Sequence, residues 1–266
     1  MATHFEARIV HEERSYTAQA AQAAFDLLDG LESRLSRFRP SSDISRAALL
    51  DAGEKMRLSE PAFACLDIAK RMERLTRGAF SATPAALEIQ ESLPQWELLA
   101  EEQSIRCQSG RLTFDLGAIG KGFALDRMGE LLCQWDCPSF LLVAGGSSIL
   151  AGDPPADTAG WSCGLGDDDA PQRYLLAHAS LSGSGLAVKG NHILDPRTGR
   201  PALRQMRAWV LADTAAESDA LSTACMVLNE RELREVLAQD HSWLAFLETG
   251  EGARPMGNRA LPLGDG

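Results

Sequence analysis

The segment Asp115-Leu-Gly-Ala-Ile-Gly-Lys-Gly122 lies between a stretch that looks like a strand, Arg111 to Asp115, and a helical repeat formed by Leu125, Met128, Leu132 and Trp135. A strand that enters a glycine turn and leaves as an amphipathic helix lets backbone approach a ligand closely. It also leaves N–H groups at the helix start, where an anion is welcome. Lys121 adds a movable positive charge. The spacing is not that of a Walker A loop, because only two residues separate Gly117 from Gly120 and neither Ser nor Thr follows Lys121. It is not G-x-G-x-x-G either. The plainer reading is an ordinary tight turn.

Outward from this segment, helices and strands alternate without a regular βαβ rhythm, which predicts an α+β fold. Residues 5–10 alternate as a short strand. Ala21, Ala24, Leu28, Leu31 and Leu35 give one apolar face to a helix over about 16–36. Pro40 closes that region, and a second helix is expected from Ser59, as its cap, to about Arg77, with Gly78 ending it. Residues 79–112 read as loops with one short helix. Phe140 to Ala144 is a continuous apolar run, hence a buried strand ending at Gly145-Gly146. Residues 152–172 read as an exposed connection, rich in Gly, Pro and Asp. A strand near 208–212, helices over 216–228 and 230–239, and a strand at 243–247 complete the chain.

The chain has 266 residues, 45% of them apolar, and a net charge of −11 from 26 basic and 37 acidic side chains. That charge argues against a nucleic-acid or anionic-membrane surface. No window reaches the roughly 18 apolar residues of a membrane span. The six cysteines, at 65, 107, 133, 137, 163 and 225, form no C-x-x-C pair and no zinc set, so free thiols in a cytoplasmic, reducing setting are expected.

Two further segments carry candidate chemistry. Asn191-His192-Ile-Leu-Asp195-Pro-Arg-Thr-Gly199 is a rigid turn. His192 is either a structural hydrogen-bonder or a base, and Asp195 and Arg197 are able simply to cap the turn. In Glu217-Ser-Asp219-Ala-Leu-Ser-Thr223, Asp219 and Thr223 share a helix face, four apart. A carboxylate and a hydroxyl so placed form half of an oxygen-rich site for Mg²⁺, a hard ion that completes its shell with phosphate and water. The alternative is a helix start whose acids suit its dipole.

In order along one chain these segments are far more specific than singly, and the chain resembles the ApbE family, the FAD:protein FMN transferases. The resemblance starts at Met1-Ala-Thr and Ser36-Arg-Phe-Arg-Pro-Ser-Ser-Asp-Ile-Ser-Arg46. It continues through Gly78-Ala-Phe, Asp115 to Gly122 and Gly145-Gly146-Ser147-Ser148, and closes with His192 to Gly199 and Asp219 to Thr223. It implies a single α+β unit over 1–266, with a mixed sheet core and a nucleotide cleft between two lobes. It implies FAD as substrate, Mg²⁺ as cofactor and a flavoprotein partner whose Ser or Thr hydroxyl receives FMN as AMP leaves.

Carried over residue by residue, the resemblance assigns the metal to Asp219, Thr223 and a backbone oxygen near Ala118. Asp115, Lys121, Met1 and the aromatic Phe38 fall beside the flavin nucleotide. His192 falls near the reacting phosphate, where it is the candidate base, with Asp195 a candidate to orient it. Ser81 and Ala82 replace the family's usual Asp and Pro after Gly78-Ala-Phe, and Ala47 replaces its Asn. These departures touch the adenine or acceptor side. Rival readings are hydrolysis of FAD at the same site, and flavin binding without catalysis.

Overall fold

The chain is described from a computed structural model, which covers residues 3–83, 95–165, 172–185, 193–202, 205–249, 252–261 and 264. It opens with β1 (Phe5–Ile9), α1 (Arg14–Leu35), α2 (Asp43–Ala47), β2 (Lys55–Arg57) and α3 (Glu60–Leu75). Next come β3 (Gln95–Leu99), a 3-10 turn (Ala100–Glu102), β4 (Ser104–Ser109) and α4 (Gly120–Gln134). Strands β5 (Phe140–Ala144), β6 (Ser148–Ala151), β7 (Trp161–Leu165), β8 (Gln172–Leu176), β9 (Ala179–Gly185) and β10 (Arg207–Ala212) follow. The last elements are α5 (Ala215–Val227), α6 (Glu230–Leu237), β11 (Leu244–Thr249) and β12 (Gly252–Gly257).

Seven strands form the main sheet in the order β1-β5-β6-β9-β10-β11-β12. The α+β reading holds, and every pairing in this sheet is antiparallel. Strands β2, β4 and β3 make a small second sheet, and β7 and β8 pair as a ribbon.

Side chains alternate across a strand, so strands β5, β6, β10, β11 and β12 divide their apolar residues between two cores. Leu142, Ala144, Val210 and Ala245 belong to the core that holds α1, α3, α4 and α5. Leu141, Leu211, Leu244 and Phe246 pack instead with Trp161, Cys163 and Leu165 of β7. Both faces are covered, which is why Phe140 to Ala144 reads as an unbroken apolar run rather than an alternating one.

Three expectations need correcting. Arg111 to Asp115 is not a strand. Leu112 and Phe114 are buried, but the Asp115 N–H bonds to the Ala82 carbonyl at 2.8 Å, and no ladder forms. The described part of the 79–112 stretch has its short helix at Ala100–Glu102, but β3 and β4 stand where loops were expected, and residues 84–94 lie outside the described residues. The supposed exposed connection at 152–172 contains β7, where Trp161, Cys163 and Leu165 alternate inward. Their period of two is masked in the sequence by the glycines and aspartates around them.

The helix ends bear out one of the two expected at α3 and add two that the sequence reading did not name. Thr214 caps α5 by accepting the Glu217 N–H at 3.4 Å, and Asn229 with Glu232 closes a capping box on α6. Gly78 at φ +77° follows α3, its N–H donating to the Glu73 carbonyl at 2.8 Å. Ser59 does hold the N-cap position of α3, but its hydroxyl donates to buried Asp43 instead of capping. All six cysteines are free thiols. Among the described residues no helix is long and apolar enough to cross a membrane.

Candidate active site

The site begins where α4 crosses α5. The two helices approach so closely that a methyl on Gly122 meets the Ala215 carbonyl oxygen at 2.0 Å. Gly120 and Gly122 lie inside the first turn of α4, not in an open loop, which corrects the reading of a glycine turn ahead of the helix. The N–H groups at this helix start do meet an anion, but it is one the protein supplies. The Gly122 N–H donates to Asp219 Oδ2 at 3.2 Å. In return Asp126 of α4 accepts the Ala215 and Ala216 N–H groups of α5 at 2.7 and 2.8 Å. Each helix therefore supplies the carboxylate that receives the other's N-terminal N–H groups.

The Asp126 carboxyl is pushed from its ordinary 3.8 up to about 7, first by burial, against the pull of those two N–H groups. Glu130 and Glu217 add repulsion. The native state thus holds a proton that the unfolded chain has released, so this group's contribution to stability is full below about pH 4 and is lost as pH rises toward about 7. Wild-type stability measured against Asp126→Asn by denaturant melts should fall across that window. A constant difference would mean that the N–H groups keep Asp126 ionised throughout.

Asp219 is 2% exposed. Its oxygens accept from Lys121 Nζ at 3.0 and 3.2 Å, and Oδ1 also takes the Ser148 hydroxyl at 3.3 Å. Lys121 Nζ donates further to the Gly117 carbonyl at 3.2 Å. A buried carboxylate is tolerable only when paired and hydrogen-bonded, and this one is both. The partners are unequal, since the Lys121 side chain keeps 20% exposure against 2% for Asp219. Lys121→Ala strands a charge indoors and should cost about 3 kcal/mol. Asp219→Asn leaves a lysine able to reach water and should cost about 1 kcal/mol. Chemical denaturation of both variants checks this order.

Behind Asp219 lies a seam of hydroxyls. Ser180, Ser182 and Ser184 alternate along β9 toward α5. There Ser180 and Ser182 meet Ser218 at 2.6 and 2.8 Å, and Ser184 meets Ser222 at 2.9 Å and Thr223 at 3.2 Å. Small side chains let helix and sheet lie close, and each buried hydroxyl has a partner. Thr223 is the one residue of α5 that is not buried.

On the other side a chain of contacts runs outward from Lys121. The Gly117 N–H donates to Asp115 Oδ1 at 2.8 Å, and Asp115 Oδ2 pairs with Arg37 at 3.0 Å. The Arg37 guanidinium stacks over Phe38 at 4.9 Å, and Phe38 is 78% exposed. Four residues singled out in the sequence, Phe38, Asp115, Lys121 and Asp219, are thus joined by direct or one-residue links, and Thr223 lies one helical turn from Asp219 on α5. Ala118 lies in the turn after Gly117. Met1 and His192 lie outside the described residues. Asp195 accepts the Arg197 backbone and guanidinium N–H groups at 2.9 Å, and Arg197 reaches Glu232 of α6 at 3.2 Å, so this pair does cap and anchor the turn.

Ser81, standing where an Asp was expected, accepts the Thr83 N–H at 3.1 Å and donates to Glu73 at 2.6 Å. The turn that an Asp side chain would close is closed by a serine. Arg37 and Ser148 lie within motifs quoted from the sequence but were given no role there, and Asp126 and Ser184 were not singled out at all. For Ser184 the readable signal was the alternation of serines over 180–184, a period of two pointing one polar face inward.

Among the described residues no group of three His, Cys, Asp or Glu is placed to hold a metal. The donors here are one carboxylate, a hydroxyl and backbone carbonyls. An all-oxygen set of low charge suits a hard ion that brings its own waters and phosphate oxygens, so these residues fit magnesium and not zinc.

Fold and site together define an α+β protein built on an antiparallel sheet, with an all-oxygen polar centre between two mutually capped helices. The family model described as the ApbE family matches residues 1–247, and the chain belongs to that family. The FAD:protein FMN transferase of Escherichia coli (strain K12) is 26% identical over 155 residues, covering 53% of this chain and 44% of that protein. The match thus spans less than half of that relative's length. The FAD:protein FMN transferase of Chlamydia muridarum (strain MoPn / Nigg) is 25% identical, covering 82% of this chain and 78% of that protein. In fold, the chain is similar to the flavin transferase ApbE from Vibrio cholerae, with TM-score 0.82, 19% identity and coverage of 96% and 93% of the two chains. The ApbE protein from Thermotoga maritima MSB8 gives TM-score 0.79 at 21% identity, covering 96% of both chains.

Proposed function

We propose that this protein transfers FMN from FAD to a Ser or Thr hydroxyl of an acceptor flavoprotein, releasing AMP. The reading rests chiefly on Asp219, a buried carboxylate in an all-oxygen setting, one helical turn from the half-buried hydroxyl of Thr223. In this reading Asp219, Thr223 and a backbone carbonyl at Gly117 or Ala118 hold the magnesium ion. When bound, that ion neutralises pyrophosphate charge and the charge moving onto the departing AMP.

The chain's own groups do the rest. With a divalent ion on Asp219, the Lys121 ammonium would add positive potential beside the phosphates, which a protein of net charge −11 does not offer through its overall field. Phe38, exposed and held by Arg37, offers a flat face to a ring of FAD. The acceptor oxygen bonds to the FMN phosphorus as the bond to the bridging oxygen breaks, and that oxygen leaves with AMP. His192 takes the hydroxyl proton, a task suited to an imidazole near neutral pH.

The test is one assay with FAD and magnesium, run with and without an acceptor domain, reading AMP and covalent flavin together. Covalent flavin on the acceptor is the expected result, and His192→Ala should lose it while still binding FAD. AMP release without covalent flavin would replace transfer by hydrolysis. Bound FAD with neither product would reduce the protein to a flavin carrier.

A further inference from the structure

We propose that Lys121 is a placeholder cation, seated on the Asp219 carboxylate in the absence of a divalent ion and displaced when one enters. The proposal rests on the reading of Asp219 as a metal ligand. Its ground is the crowding of that carboxylate. Three donors already fill the two oxygens: the Gly122 N–H, the Ser148 hydroxyl and the Lys121 ammonium. A cation that binds there must evict one of them.

The Gly122 N–H is fixed in α4, whose distance from α5 is set by the Ala215 carbonyl. Ser148 is fully buried at the start of β6. Lys121 alone stands on a flexible stem with a partly exposed side chain. Its ammonium is also in the position of an ion, touching two carboxylate oxygens and the Gly117 carbonyl. Its stem passes the Gly145 backbone, where a Cβ would lie 3.7 Å from the Lys121 Cδ.

The exchange alters the charge of the site in a directed way. With lysine on the carboxylate, the pair is neutral and has little to offer a pyrophosphate. With a divalent ion in its place and the ammonium freed, the centre gains both of the ion's charges, the number that a dinucleotide's pyrophosphate carries. Ion and nucleotide therefore bind with positive linkage, each raising the other's affinity by the same factor.

The test uses the full chain. Mn²⁺ binding followed by electron paramagnetic resonance should be about tenfold tighter in Lys121→Met than in wild type, because a positive charge no longer competes for the carboxylate. Equal or weaker binding in the variant overturns the placeholder. Absence of saturable binding in both proteins overturns the metal reading of Asp219 as well. The variant is also the one expected to be unstable, so a second measurement uses wild type alone. The chain has four lysines, at 55, 70, 121 and 189, and [ε-13C]lysine labelling gives each its own signal. Titration with Mg²⁺ should shift the Lys121 signal saturably, with assignment by Lys121→Arg. A Lys121 signal that stays in place at Mg²⁺ concentrations that compete off bound Mn²⁺ in the resonance experiment refutes displacement.

Discussion

Alanine at position 122 should lower stability by about 3 kcal/mol, the upper range for forcing a methyl into a packed interior. The added Cβ would meet backbone, the Ala215 carbonyl oxygen at 2.0 Å, and backbone has no rotamer by which to withdraw. The helices must separate, and the Gly122 N–H to Asp219 bond and the Asp126 bonds to α5 lengthen together. Activity should fall with stability, because Asp219 and Lys121 are brought face to face by this crossing. Gly30 supplies the control. It lies within α1, and a methyl there would meet nothing within 4 Å, so Gly30→Ala should raise stability by about 0.5–1 kcal/mol. The same chemical change has opposite signs at two helical sites, and urea melts of the two variants decide it. A neutral Gly122→Ala would mean that the α4–α5 separation is not set by this contact.

Asp219→Ala should reduce magnesium-dependent AMP release by at least about 10²-fold, the upper loss seen when a group that merely hydrogen-bonds to a metal ligand is removed. The fold should survive, because the deletion takes a buried charge away and leaves Lys121 free to turn toward solvent. Ser148→Ala should cost far less, since it removes one neutral donor at 3.3 Å and leaves the carboxylate in place. Initial rates across a magnesium titration separate these cases. Near-normal rates in Asp219→Ala would sink the assignment of the metal to this carboxylate.

Much of the fold was legible where period and punctuation agree. The helix expected over 230–239 forms at Glu230–Leu237. Phe140 to Ala144 forms the strand expected of an apolar run. Legibility failed where a residue's partner is distant. Ser59 looks like a cap until Asp43, sixteen residues earlier, claims its hydroxyl. Leu112 and Phe114 look like a strand, yet they are buried without a neighbour to pair with. In the site, Asp219 and Lys121 were chosen from motifs, but their direct contact joins residues 98 positions apart and no local pattern encodes it. Asp126 was invisible for the same reason, its partners lying 89 and 90 residues away.

The exchange of carboxylates between α4 and α5 also bears on how the molecule opens. Neither helix can satisfy its whole first turn alone: Thr214 takes the Glu217 N–H of α5, but the acceptors for the Ala215, Ala216 and Gly122 N–H groups belong to the opposite helix. Fraying at one N-terminus therefore exposes donors at both, and the two helices are bound into one cooperative unit. Native-state hydrogen exchange would register this as a shared opening free energy at the Gly122, Ala215 and Ala216 amides, although strands β5 to β10 separate them along the chain. A protein built this way presents its polar centre either assembled or dissolved, with no half-formed version in between.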